Sequence, residues 1–123
     1  MPVRKPEEWP SQFEEKMNAG DLDRVIRLYE PVAAFIRESK EVIVGHEGIR
    51  AVLADLIANK PRFASQVERF VVVDDIAMLY TNFTVMMGPA AKAQEAKSRA
   101  IEILRRQHDG SWKLIVGDPN GRK

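Results

Sequence analysis

Between Ile76 and Met87 the chain reads IAMLYTNFTVMM, a stretch rich in β-formers that holds no charged residue. In an extended strand successive side chains point to opposite faces. One face then carries Ile76, Met78, Tyr80, Asn82, Thr84 and Met86, and the other Ala77, Leu79, Thr81, Phe83, Val85 and Met87. A strand with one wet face alternates apolar with charged residues, and this one does not. Both faces want cover, because at roughly 25 cal/mol per Å² of apolar surface either one left in water would cost on the order of several kcal/mol. The rest of the chain reads as the supplier of that cover.

Residues 1–8 are charged and hold two prolines, so a loose lead-in is expected ahead of a single domain over 9–121. Trp9, Phe13 and Met17 form one stripe of a first helix, whose secure part begins near Pro10 and stops at Gly20. Asp21 caps a second helix bearing Leu22, Val25, Ile26 and Tyr29, closed by Pro31. Short strands follow at 33–38 and 42–44. A third helix then carries Ile49, Val52, Leu53, Leu56 and Ile57 and ends at Lys60-Pro61. A long strand at 63–73 turns at Asp74-Asp75 into the uncharged strand. A small-residue connection at 88–96, readable as a lid, leads to strands at 97–107 and 112–116.

Three helices ahead of a meander of strands predict an α+β layer pair, with the helices on one face of a strongly curved, mostly antiparallel mixed sheet. Such a sheet leaves a conical cavity under the helices. Its other face has no helix to cover it, so a homodimer through the outer sheet face is expected. Leu79 and Phe83 are assigned to that outward face, and Tyr80, Asn82 and Thr84 to the cavity.

The 19 Lys and Arg side chains meet 18 Asp and Glu, for a net charge of +1, which argues against a nucleic-acid footprint. Cysteine is absent, so disulfides, thiolate nucleophiles and Cys-based zinc sites are excluded. His46 and His108 lack ligand spacing, and the glycines punctuate turns rather than form a phosphate loop, so neither a metal nor another cofactor is expected. The opening MPVRKPEEWP has no apolar core of signal-peptide length, and no run approaches the ~18 apolar residues of a membrane span. A cytoplasmic protein without membrane or nucleic-acid partners is the expectation.

The ordered segments Trp9 and Phe13, NAGDLDRVIRLYEP at 18–31, GHEGIRAVL at 45–53, DIAMLYTNF at 75–83 and RRQHDGSWKLIVGDPNG at 105–121 resemble the nuclear transport factor 2-like superfamily. More narrowly, they resemble its SnoaL-like, ketosteroid-isomerase-related bacterial members. The resemblance implies a cystatin-like α+β cone, a hydrophobic pocket with a few polar groups, and usually a dimer. It leaves the activity open, because members include isomerases, polyketide cyclases, dehydratases and many proteins with no known reaction. The isomerase chemistry needs a carboxylate base and two buried donors to an oxyanion. The family's tyrosine donor, five residues before the Asn of NAGD, falls on Phe13 here, and its base, sixteen after the Asp, on Arg37. Neither residue can do that work. The third group, a protonated acid, falls on Glu102 or an immediate neighbour.

Glu102 stands in AIEIL, where an unpaired carboxylate would be costly and its pKa raised. It is either a pocket acid–base or a glutamate paired with an arginine or turned to the dimer seam. Arg37 and Arg106 could hold a ligand carboxylate or phenolate at the rim, or neutralise Glu102 or Asp118. Asn82 and Thr84 could hydrogen-bond a ligand or a neighbouring strand, and Tyr80 offers a phenol or a plain core ring. Trp9, Phe13, Met17, Phe35 and Trp112 are pocket wall or core, and His46 a helix-start residue. Three readings follow: a domain binding a small hydrophobic or partly anionic molecule, an isomerase or cyclase acting on an enolisable ketone through Glu102, and a structural dimerisation module.

Overall fold

A computed structural model describes residues 2–88 and 94–122. Pro6–Glu8 form a 3-10 turn that leads into α1 (Trp9–Asn18), where Pro10 occupies the first turn and its missing N–H is no loss. Gly20, at φ +69°, supplies the left-handed residue after α1. The Asp21 carboxylate accepts from the Arg24 N–H at 3.1 Å and so starts α2 (Leu22–Ile26). Gly45, at φ +97°, admits the chain to α3 (His46–Ala58).

The strands are β1 (Tyr29–Ile36), β2 (Val42–Val44), β3 (Arg62–Val73), β4 (Ile76–Met87), β5 (Gln94–Arg106) and β6 (Trp112–Asp118). They form one six-stranded sheet in the order β2-β1-β6-β5-β4-β3, with β1 and β6 parallel and every other pair antiparallel. The helices lie on one face, as the α+β reading expects. Trp9, Met17, Val25, Ile49 and Leu53 from the helical layer meet Ala77, Leu79, Ala100, Leu104 and Leu114 from the sheet in one core. Asn18 ties α1 to β3, donating to the Phe63 carbonyl at 3.1 Å and accepting from the Phe63 N–H at 2.7 Å. Among the described residues no helix is long and apolar enough to cross a membrane.

The structure departs from the sequence reading in four places. The expected loose lead-in is tied down: Val3 is buried, and its carbonyl accepts from the Trp112 N–H at 2.8 Å. α2 stops at Ile26, and β1 begins at Tyr29 rather than at 33, so Tyr29 is a strand residue. Pro31 is tolerated within β1 because the β1–β6 register shifts between Tyr29 and Ala34, where a missing donor breaks no ladder. β5 begins at Gln94, opposite Met87, and so takes in part of the expected 88–96 connection. Residues 89–93 lie outside the described residues, and with them most of the suggested lid.

The fourth departure concerns β4. Leu79 and Phe83, expected outward, are buried under the helices with Ala77 and Thr81, whereas Tyr80, Asn82 and Thr84 lie on the opposite face. Leu79 pairs with Glu102 across β4 and β5. Paired residues share a face, so a cavity holding Glu102 cannot also hold Tyr80, Asn82 and Thr84. The outer mid-strand is covered by polar groups instead. Tyr80 lies under the guanidinium groups of Arg69 (4.4 Å) and Arg122 (5.2 Å). Asn82 donates to Glu68 at 3.2 Å and accepts from Arg122 at 3.0 Å. Arg122 also donates to the carbonyls of Thr81 and Ala100, clasping the end of the chain to the sheet.

Candidate functional site

A cavity of about 490 Å³ lies between the helices and the concave face of the sheet. Aromatic rings make much of its wall. Trp9 stacks on Phe13 at 5.3 Å and meets Tyr29 edge-on at 5.6 Å, while Phe13 meets Phe63 and Phe83 edge-on at 5.3 and 5.9 Å. These are favourable aromatic geometries, and they hold the wall in shape. The Trp9 indole N–H is spent on the Leu28 carbonyl at 2.9 Å, so this residue offers the cavity an apolar ring and no donor.

Glu102 breaks this apolar lining. β5 carries it into the concave face beside Leu79 of β4, and it is only 5% exposed. The Thr81 hydroxyl donates to Glu102 Oε1 at 2.8 Å. Burial pushes the Glu102 carboxyl up to about 7, with the Thr81 hydrogen bond and the Arg122 charge acting the other way. The group can therefore be protonated or ionised near neutrality.

Tyr29, from β1, lines the same cavity and is 2% exposed. Its hydroxyl has no hydrogen-bond partner among the described residues, and no fully buried side-chain oxygen or nitrogen there lacks one, so the hydroxyl opens on the cavity. Burial, and then the negative charge of Glu102, push its pKa up, which keeps it a phenol. The His46 Nε2–H donates to the Tyr29 carbonyl at 2.8 Å and fastens this part of β1 to the start of α3. The cavity thus combines an apolar wall, a carboxyl poised near neutrality and a permanent phenol donor. Arg37, Glu38 and Ser39 from the β1–β2 turn, Asp118 at the end of β6, and Pro119 and Asn120 beyond it also line the cavity.

Of the residues singled out in the sequence, Trp9, Phe13, Phe35, Arg37 and Glu102 line this cavity. Met17 is core without reaching the lining. Tyr80, Asn82 and Thr84 are corrected to the outer face. Arg106 is also outside: it pairs with Asp75 at 2.6 Å and lies 5.7 Å from the Trp112 ring. Trp112 lines a separate groove. Neither arginine neutralises Glu102 or Asp118; Arg37 lies 3.9 Å from Glu41 instead. The sequence reading missed Tyr29, which helical spacing had claimed for α2, and Thr81. The signal for Thr81 was its two-residue spacing from Leu79 and Phe83, a polar group amid an apolar face.

The SnoaL-like domain is the family model that matches, over residues 11–115. No curated protein sequence matches the chain. Among solved structures, a nuclear transport factor 2-like protein with a cystatin-like fold from Novosphingobium aromaticivorans superposes with a TM-score of 0.78 at 14% identity, over 91% of this chain and 76% of that one. A candidate dehydratase of the nuclear transport factor 2-like family from Streptomyces avermitilis gives 0.73 at 19% identity, over 89% and 88%. A candidate calcium/calmodulin-dependent protein kinase type II association domain from Thiobacillus denitrificans gives 0.79 at 17% identity, over 97% and 98%. At these identities the likeness is one of fold.

Proposed function

The chain belongs to the SnoaL-like domain family, and we propose that it binds a small, largely apolar molecule in the conical cavity, held at a polar head by Glu102 and Tyr29. One observation carries this reading: a buried carboxyl faces the cavity, and among the described residues its hydrogen-bond partner is a single threonine hydroxyl. A carboxyl so placed is costly unless it serves a ligand. Protonated, it donates to a carbonyl or hydroxyl; ionised, it accepts from a hydroxyl. Ionised Glu102 would repel an anionic head at the inner site. Any anionic part of the ligand would sit near Arg37.

A second reading, an isomerase or cyclase acting on an enolisable ketone, is favoured by the Glu102 pKa of about 7. That value suits a group that takes and returns a proton at neutral pH. Tyr29 would replace Tyr80 or Asn82 as the assisting donor, because those two lie on the outer face while Tyr29 lines the cavity with Glu102. Isothermal titration and turnover assays with a panel of aliphatic and aromatic enolisable ketones separate the two. Binding without turnover, weakened tenfold or more by Tyr29→Phe, supports the first reading. Turnover abolished by Glu102→Gln, with affinity within a few-fold, supports the second. No binding by any member of the panel, in a protein shown to be folded, counts against both.

The same proposal includes a homodimer through the outer sheet face. What supports it is exposed apolar surface at the β3–β4 hairpin, where Val71, Val73 and Ile76 stand in water in the single chain.

A further inference from the structure

We propose that a second cavity binds a small organic anion bearing two or more negative charges as phosphate or carboxylate groups. This groove, of about 630 Å³, shares no lining residue with the Glu102 cavity. It lies between the first residues of the chain, the α1–α2 region and the β5–β6 hairpin. Lys16, Arg24, Arg27 and Lys113 line it, against the single carboxylate of Asp109. In a chain whose net charge is +1, that is a local concentration of positive charge.

The cations are largely uncommitted. Among the described residues Lys16, Arg27 and Lys113 form no ion pair, and Arg24 only an exposed one with Asp21 at 3.4 Å. At longer range Arg27 faces Asp23, and Lys113 faces Glu30 and Asp109. Asp109 itself is occupied, accepting from the Ser111 N–H at 2.9 Å and from its hydroxyl at 2.6 Å.

Two further donors come from residues that line the groove. Lys16 is 8% exposed, and its ammonium donates to the neutral Gln12 amide oxygen at 2.7 Å, leaving further N–H hydrogens unspent. Buried charges are ordinarily paired with opposite charge. Trp112 lines this groove and is largely buried, but its indole N–H has no acceptor among the described residues, and since no fully buried polar atom there lacks a partner, that N–H is accessible. Unspent donors, guanidinium forks and the apolar flank of Leu28 and Trp112 together fit an anion with an organic body.

The test is an NMR titration of the full ¹⁵N-labelled chain with inorganic pyrophosphate and with citrate, against sodium chloride at matched ionic strength. The expected result is saturable shifts at the Trp112 indole and at the Arg27 and Lys113 amides with at least one of the two anions. The better probe identifies the head group as phosphate or carboxylate. The double variant Arg27→Gln/Lys113→Gln, at exposed or half-buried positions, should weaken binding at least tenfold, and Lys16→Met should do the same if it remains folded. Shifts that follow ionic strength alone, or unaltered affinity in the double variant, would overturn the proposal.

Discussion

The Thr81 hydroxyl donates to Glu102 Oε1 across the β4–β5 pair at 2.8 Å, on the side of the sheet that faces the helices. This bond joins a polar group inside the apolar face of β4 to the carboxyl that sets the chemistry of the cavity. It also fixes which face of β4 is inward.

The burial of Glu102, which this bond only partly offsets, makes stability depend on pH in a definite direction. Burial raises the Glu102 pKa from 4.5 to about 7. Below 4.5 the group is protonated in folded and unfolded chains alike. Between 4.5 and about 7 the unfolded chain has released a proton that the folded one keeps, so the unfolded state binds fewer protons and stability falls as pH rises. At roughly 1.4 kcal/mol per pKa unit, the loss reaches about 3 kcal/mol by pH 8. Glu102→Gln should remove this slope and be the more stable protein at pH 8. Urea unfolding of both proteins across this range is the measurement.

Thr81→Val keeps the shape of the side chain and removes the donor. The hydroxyl favours the ionised carboxylate, so its loss should cost about 1–3 kcal/mol where Glu102 is charged and less where it is protonated. Unfolding at pH 8 and pH 5 should show that difference. Equal losses at both values would mean that the hydroxyl serves packing alone.

Leu79 has no exposed surface, whereas Thr84 on the other face is half-buried. Leu79→Ala should therefore destabilise the chain by about 2–5 kcal/mol. Thr84→Ala should lie within about 1 kcal/mol of the parent. Denaturant midpoints decide it, and the reverse order would restore the opposite facing of β4.

Val71 pairs with Met78 on the outer face and is exposed in the single chain. If that face joins two copies, Val71→Asp sets a charge against its own symmetry mate and should give a folded monomer, at a cost on the order of several kcal/mol per interface. Sedimentation velocity with circular dichroism checks both halves of the statement. A dimer unchanged by the substitution would place the interface elsewhere.

Much of this architecture was legible in the residues. The stripe of Trp9, Phe13 and Met17, the Asp21 cap and the long strands follow from periodicity and caps, which are local. Glu102 was legible as a charge among apolar neighbours. The facing of β4 was not, because Leu79 and Phe83 on one side and Met78 and Tyr80 on the other are both apolar. Only the long-range pairing of Leu79 with Glu102 breaks that tie. Tyr29 was hidden for a related reason: its spacing from Val25 and Ile26 suits a helix, and the parallel β1–β6 pairing that makes it a strand residue is set by partners far along the chain. The basic groove was invisible because Lys16, Arg27 and Lys113 come together only in the folded chain.

Glu102 is 5% exposed in a largely apolar cavity. Its side-chain carboxyl ¹³C resonance, followed by NMR from pH 3 to pH 9 and assigned by its loss in Glu102→Gln, tests this most directly. The structure predicts a midpoint at about 7. A midpoint near the ordinary 4.5 would contradict it, because a carboxyl that ionises there is solvated.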